Sequence, residues 1–203
     1  MQELLSLCRR IDGLSRVCGV IANWMVLLAA LVAAFDAFMR YGLTFLLQIA
    51  EYLGTAGSSV TALFDIYRNN SNSLRDLQLV LFSGMVMLGA SWTLKVNEHV
   101  RVDLLYTNVS DRARVWIDLL GAIFFLMPFC IMMIYFSWPW FMQSWTGNEL
   151  SQNAGGLPRW PGKIFIPLGF ALLLLQGISE IIKCVAALNI GYKREHAYEK
   201  PVQ

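Results

Sequence analysis

Long apolar stretches constrain this chain more than any other feature. The clearest runs from Val17 to Phe35, nineteen residues in which Asn23 is the strongly polar one. A helix of about 20 apolar residues crosses the hydrocarbon core of a bilayer, so this run predicts a membrane-spanning helix. A cleaved signal peptide is the competing interpretation, but the run is long for that role.

Similar runs recur along the chain, and the composition agrees with them. Of the 203 residues, 57% are hydrophobic and 15% are charged, and the mean hydropathy is +0.52. Such values are typical of integral membrane proteins. The sequence predicts an all-α membrane protein, a single domain over 1–203. Its four transmembrane helices are predicted at about 17–40, 74–95, 112–138 and 163–189.

A weaker, amphipathic segment lies between the first two spans, at about 43–67. Its apolar residues fall near helical spacing, while Glu51, Asp65 and several uncharged polar residues occupy other positions. This pattern predicts one kinked or two short helices in the membrane interface. A fifth span is the alternative, but Glu51 and Asp65 would then need buried partners. The polar run 68–73 predicts a turn, with Ser73 capping the second helix.

Polar residues within the spans are few. Asp36 and Arg40, four residues apart at the outer end of the first helix, can form an ion pair. Asp118 is the acidic residue in the apolar part of the third helix, and Arg114 one turn earlier is its expected partner. The third helix also contains Pro128, which predicts a kink, and Ser110 or Asp111 is expected to cap it.

The fourth helix carries three polar side chains on one face, at i, i+4 and i+7. They are Gln176, Glu180 and Lys183. We expect hydrogen bonds between helices from this face, with a proton or ion path as the alternative.

Lys and Arg are distributed unevenly between the two predicted sides of the membrane. Eleven of the 16 lie in the N-terminal flank, the 95–114 loop and the C-terminal flank, and five lie on the other side. The positive-inside rule therefore places both termini in the cytoplasm. Tryptophans within 138–162 predict an aromatic belt at the outer interface, next to Arg159 and Trp160 in a turn-rich loop.

Enzymatic, cofactor, metal and nucleic-acid functions have little support in the sequence. The four cysteines are far apart, and we interpret them as small buried hydrophobic residues. His99 and His196 lie outside the apolar runs, which argues against paired haem ligands inside a bundle. The net charge of +2 is too small to suggest nucleic acid. The chain has no nucleophile elbow, zinc-protease motif or phosphate-binding loop, so we predict a protein that is not an enzyme and has no cofactor.

The most polar window between two apolar runs is 97–106. His99, Arg101 and Asp103 alternate with apolar residues, so one edge of the segment is ionic and the other apolar. Such a segment suits a membrane surface. An ordinary loop with an Arg101–Asp103 ion pair is the simpler interpretation.

The sequence HVRVDLL at 99–105, directly after the second span, resembles a signature of a known family. This is the DctQ-like family, the small membrane subunits of tripartite ATP-independent periplasmic (TRAP) transporters. Other similar stretches are Arg40-Tyr41, Ser73–Gln78, Leu88–Ala90, the 153–161 loop and Pro167–Phe170. The 43–67 segment is longer than the corresponding hairpin of many members.

The resemblance implies a non-catalytic subunit in the bacterial inner membrane. In this family, a large TRAP membrane subunit moves the substrate, a periplasmic substrate-binding protein delivers organic anions, and an ion gradient drives uptake. The expected contacts are therefore the large subunit, the binding protein through the complex, and membrane lipid. Candidates for subunit-interface or structural roles are His99, Arg101, Asp103, Asp118, Gln176, Glu180, Arg159 and Trp160. A membrane anchor of an electron-transfer complex and a stand-alone small transporter remain the alternatives.

Overall fold

The computed structural model describes residues 2–53, 58–97, 109–153 and 155–190, and it confirms an all-α membrane fold. The helices are α1 (Gln2–Tyr52), α2 (Ser58–Val96), α3 (Asp111–Gly121), α4 (Met127–Thr146) and α5 (Trp160–Ile190). A π-helical turn, Ala122–Leu126, joins α3 to α4. Four helical units are long and apolar enough to cross a membrane. They are Glu3–Tyr52, Thr61–Val96, Asp111–Thr146 and Trp160–Asn189, and each contains one predicted span.

Helices α1 and α2 form a long antiparallel hairpin. The Lys95 side chain at the end of α2 reaches Asp12 near the start of α1, whereas Tyr67 in the first half of α2 contacts Asp36. At 1.5 Å per residue, α1 is roughly 76 Å long, and its apolar run Val17–Phe35 accounts for about 28 Å of that length. The hairpin therefore continues beyond the apolar run at both ends.

The 43–67 segment is not a separate interfacial element, contrary to the expectation from the sequence. Residues 43–52 complete α1, and 58–67 begin α2. Leu43, Ala50 and Tyr67 are buried. These three side chains lie on the buried side of the hairpin, whereas Leu46, Ile49, Leu53 and Leu63 of the same segment are exposed. The segment is not a separate element because its two parts are continuous with the long helices α1 and α2.

The predicted turn at 68–73 is also wrong, because these residues are helical within α2. Asn70 and Ser71 donate hydrogen bonds to carbonyl oxygens about one turn earlier, at 2.8 and 3.0 Å. Ser73, expected as a helix cap, donates instead to the carbonyl oxygen of Gly155. Their short polar side chains satisfy the helix and a distant loop, so tertiary contacts override a low helix propensity.

The helix of the third span departs from α geometry just before Pro128. The π-helical turn Ala122–Leu126 ends there, and the N–H of Met127 bonds to the carbonyl at the start of the turn. Proline has no N–H and its ring crowds the carbonyl four residues back, so a wider turn accommodates it. Ser110 caps α3 as predicted, since its hydroxyl accepts a backbone N–H at 3.4 Å.

Helix α5 is the central helix of the bundle. It packs on the α1–α2 hairpin on one side, and α3 and α4 pack mainly on α5 from the other side. On that second side, the rings of Phe129 and Phe170 meet edge to face at 5.7 Å. The core between α1, α2 and α5 consists of Cys18, Ala22, Leu88 and Leu172, with Met25 and Phe165 against them.

The most deeply buried side chains are small or polar, while many large apolar side chains face outward. The largest fully buried side chains are those of Gln176, Cys8, Cys130, Cys184, Ser15, Ser91, Ser144 and Ser179. All four cysteines are buried, as predicted. Lipid chains are as apolar as leucine, so burial of large apolar side chains does not drive helices together in a bilayer. Close packing and hydrogen bonds do.

Candidate functional site

Two matching polar patterns meet where the beginning of α1 lies against the end of α5. Cys8, Asp12 and Ser15 are spaced i, i+4 and i+7 on α1, and the predicted face of α5 has the same spacing. Residues at this spacing lie on one face of a helix. The two helices run antiparallel here, because Cys8 bonds to Ser179 while Ser15 bonds to Gln176.

Asp12 is the shared acceptor at this contact. Its carboxylate accepts hydrogen bonds from Lys183 at 2.9 Å, Gln176 at 3.0 Å and Ser179 at 3.1 Å. The contact as a whole is named here the Asp12 cluster, and its members are Asp12, Ser15, Gln176, Ser179, Glu180 and Lys183.

The remaining bonds close the Asp12 cluster into a network. Ser15 donates to the Gln176 side-chain oxygen at 2.7 Å, and Lys183 also bonds to Glu180 at 2.8 Å. Gln176 and Ser179 are fully buried, and the Asp12 side chain is 16% exposed. Polar groups this deeply buried are costly unless paired, so the network makes one relative placement of α1 and α5 much more favourable than others.

A second polar contact joins α1 to α2 farther along the hairpin. Asp36 and Arg40 form the predicted ion pair at 2.9 Å, which confirms that expectation. Tyr67 of α2 donates its hydroxyl to Asp36 at 2.8 Å and accepts from Arg40 at 3.5 Å. The pair therefore does more than mark a helix end, because it also fixes α2 against α1.

The loop between α4 and α5 is braced by Glu149. Its carboxylate pairs with Lys163 and, at 3.4 Å, with Arg159. The Lys163 ammonium is the main reason that the pKa of Glu149 lies below its ordinary value. The same ammonium stands 4.3 Å from the centre of the Trp140 ring, a cation–π contact.

This loop also contacts α2. The backbone N–H of Leu157 donates to Asp76 at 3.0 Å, and Ser73 donates to the carbonyl of Gly155. Gly155 has a φ of +72°, a conformation that favours glycine, and an added Cβ would lie 2.8 Å from a backbone oxygen of α2. The loop is therefore attached to α2 as well as to the helices that it joins.

Several of the sequence candidates lie in these contacts. Gln176 and Glu180 belong to the Asp12 cluster, and Arg159 is in the braced loop. Trp160 begins α5, and its ring meets that of Trp145 edge to face at 4.5 Å.

The other candidates lie elsewhere. Asp118 is half-buried on α3, and Arg114, its expected partner, forms an ion pair with Asp111 at 2.7 Å. His99, Arg101 and Asp103 lie outside the described residues.

Reasoning from the sequence missed Asp12, Ser15 and Ser179 as partners of the polar face on α5. The sequence predicts a polar flank at 1–16, whereas residues 2–16 form about four turns of α1. The matching i, i+4, i+7 spacing of residues 8, 12 and 15 was the available signal.

Comparison with known protein families agrees with the fold. The family model described as "Tripartite ATP-independent periplasmic transporters, DctQ component" matches residues 65–187, more than half of the chain. The match begins in the first turns of α2 and ends in the last turns of α5. No curated protein and no solved structure matches the chain significantly. The chain therefore belongs to the DctQ family, the small permease subunits of TRAP transporters.

Proposed function

We propose that this chain is the non-catalytic scaffold of a TRAP transporter, holding the large membrane subunit during ion-coupled, binding-protein-dependent uptake of organic anions. The observation that carries the proposal is the bracing of the bundle toward both of its ends. The Asp12 cluster joins α1 to α5 at one end. The Asp36 contact and the Glu149 loop join α1, α2, α4 and α5 toward the other.

A bundle fixed in this way suits a stationary role. Relative motion of α1 and α5 would separate Asp12 from Lys183 and leave the Asp12 carboxylate without its α5 donors in a largely buried place. Family membership supplies the partner that moves substrate, because a DctQ chain is one component of a tripartite system. The proposed location is the bacterial inner membrane, with both termini in the cytoplasm, as the distribution of Lys and Arg favours.

Reconstitution tests the proposal directly. Liposomes would receive this chain alone, its large membrane subunit alone, or both, with the periplasmic binding protein added outside and an ion gradient imposed. We expect uptake of organic anions when all components are present and none with this chain alone. Uptake by this chain alone would contradict the scaffold role, as would full uptake by the large subunit without it.

For the stretch 97–106, we propose a structural role through an Arg101–Asp103 ion pair. Arg101→Ala should then lower the thermal stability of the lone chain, by roughly 0–1 kcal/mol for an exposed pair. Asp103→Asn is the matched variant and should have the same effect. If both variants leave the lone chain unchanged but prevent co-purification of the large subunit, the stretch is a docking site instead.

A further inference from the structure

One line of α1 residues repeats every seven positions and is large and apolar throughout. It consists of Val17, Trp24, Leu31, Phe38, Phe45 and Tyr52. A second line lies beside it, three residues after each of the first five, and consists of Val20, Leu27, Ala34, Tyr41 and Gln48. Together these residues form what we name the heptad stripe, with the a and d spacing of a helix that packs lengthwise on another helix.

The opposite side of α1 packs against the other helices of the bundle and serves as a comparison. Cys8, Ser15, Ala22, Ala29, Asp36, Leu43 and Ala50 also follow a seven-residue spacing, and all are buried except Asp36, which is half-buried in its contact with Tyr67. This line consists mostly of small residues and already faces the rest of the bundle. The heptad stripe is instead exposed along its length, from 57% at Val17 to 91% at Tyr52.

The heptad stripe is longer than the hydrocarbon core of a bilayer can cover. From Val17 to Tyr52 it extends roughly 53 Å along the helix, whereas the hydrocarbon core is about 30 Å thick. A tilt of about 40°, the upper end of the observed range, lengthens the covered stretch to roughly 39 Å. At least a quarter of the heptad stripe then lies outside the hydrocarbon. There, Phe45 and Tyr52 are exposed aromatic side chains of the kind that is typical of a contact with protein.

Asn23 gives a second, independent indication within the bilayer. It lies beside Trp24, about 9 Å into the apolar run, and its side chain is exposed. Among the described residues, no hydrogen-bond partner of the Asn23 side chain is found. Polar side chains at this depth normally face protein rather than lipid, because hydrocarbon offers no hydrogen bonds. A neighbouring helix in the assembled transporter would supply the missing partner.

We infer that the heptad stripe of α1 is the docking surface for one long helix of the large membrane subunit. That helix packs lengthwise on α1, hydrogen-bonds Asn23 within the bilayer and extends past the membrane surface to reach Phe45 and Tyr52. The inference rests on the proposed function, since it requires a large subunit bound to this chain. The heptad stripe is continuous from Val17 inside the bilayer to Tyr52 beyond it, along one helix. A single partner helix can therefore cover both stretches.

Photo-crosslinking in the assembled complex tests this surface. A photoreactive phenylalanine analogue would replace Phe38, Phe45 or Tyr52, with Leu46 and Leu53 as matched controls. The control leucines are also exposed, but each lies one position after a stripe residue and so faces about 100° away. We expect the three stripe positions to crosslink to the large subunit and the two controls to give little product.

Each other outcome separates the docking surface from the proposed function. If the complex co-purifies but the stripe positions do not crosslink to the large subunit, the docking surface is wrong and the scaffold role stands. Crosslinks to a second copy of this chain would also overturn the inference, by assigning the heptad stripe to self-association. If the large subunit does not bind the unmodified chain, both proposals fail.

Two substitutions test how much the heptad stripe contributes to binding of the large subunit. Phe45→Asp should reduce recovery of the large subunit at least about tenfold, while Leu46→Asp should leave it nearly unchanged. Phe45 and Leu46 are both exposed in the lone chain, so neither substitution should lower its thermal stability. Measuring the thermal stability of each variant is the control for folding. Equal losses of complex for the two variants would contradict a docking surface confined to the heptad stripe.

Discussion

Asp12 accepts hydrogen bonds from three α5 side chains, and this one residue accounts for most of the contact between α1 and α5 at that end. Two of its donors, Gln176 and Ser179, are fully buried, and the third is the Lys183 ammonium. Removing the acceptor leaves all three donors without it. Glu180 is different, because Lys183 and Gln176 both keep Asp12 when the Glu180 carboxylate is absent.

We therefore expect unequal losses of stability from two similar truncations. Asp12→Ala should lower the free energy of unfolding by about 1–3 kcal/mol, since the buried Ser179 hydroxyl loses its acceptor while Lys183 and Gln176 keep only Glu180. Glu180→Ala should lower it by less than about 1 kcal/mol. Thermal unfolding of the purified chain in detergent measures both. Equal losses of unfolding free energy would show that Asp12 and Glu180 contribute equally to the stability of this contact.

Glu149 makes the α4–α5 loop sensitive to acid. The pKa of Glu149 is lower in the folded chain than its ordinary value, mainly because Lys163 donates to the carboxylate. Its contribution to stability is therefore present above the ordinary pKa and is lost as the pH falls through the lowered, folded value. We expect the protection of backbone amides in residues 147–159 against exchange, relative to the intrinsic exchange rate at each pH, to fall as the pH drops below the ordinary glutamate range. Glu149→Gln should show low protection in this loop already at neutral pH, with a weaker dependence on pH.

At the scale of the elements, close helix contacts depend on where a glycine lies. A Cβ on Gly169 of α5 would stand 2.6 Å from the Cβ of Met87 and 2.8 Å from its carbonyl oxygen. Backbone atoms of α2 cannot yield without moving the helix. Gly121 in α3 has nothing within 4 Å of the equivalent position.

The same substitution should consequently have opposite effects at these two glycines. Gly169→Ala should destabilise the lone chain by about 1–3 kcal/mol, because it forces α2 and α5 apart. Gly121→Ala should be neutral or stabilising by up to about 1 kcal/mol, because alanine favours the helix. Thermal unfolding compares the two variants under one condition. A loss at Gly121 as large as that at Gly169 would show that close approach of α2 and α5 is not the cause of the loss at Gly169.

At the scale of the whole molecule, the helices cross in alternating directions, and α5 lies between the α1–α2 hairpin and the α3–α4 unit. Such an arrangement leaves wide apolar faces on both flanks, which suits a subunit that is surrounded by lipid and by a larger partner. It also places the Asp12 cluster and the Glu149 loop toward opposite ends of the bundle.

Labelling with a membrane-impermeant thiol reagent tests this orientation. A cysteine at Asn70 or Gln152 should react from outside the cell, and one at Glu199 should react after the membrane is opened. Both outer positions are exposed, and the four native cysteines are buried, so their background reaction should be low. Gly156 is a poor labelling site, because a side chain there would collide with Asp76. The reverse labelling pattern would contradict cytoplasmic termini.

The sequence by itself determined the class of fold and its local signals. Membrane spans follow from the length and composition of single segments, so an apolar run such as Val17–Phe35 predicts one without knowledge of the rest of the chain. The Asp36–Arg40 pair and the Ser110 cap are equally local, since both join residues within one turn of a helix.

Only the tertiary structure decided which polar groups meet and where helices end. Asp12 and Lys183 are 171 residues apart, and their contact depends on α1 and α5 being antiparallel neighbours. The helical conformation of 68–73 depends likewise on a loop more than eighty residues away, through Ser73 and Gly155. Local propensity favours a turn there, but hydrogen bonds and packing from distant segments contribute more free energy than that preference.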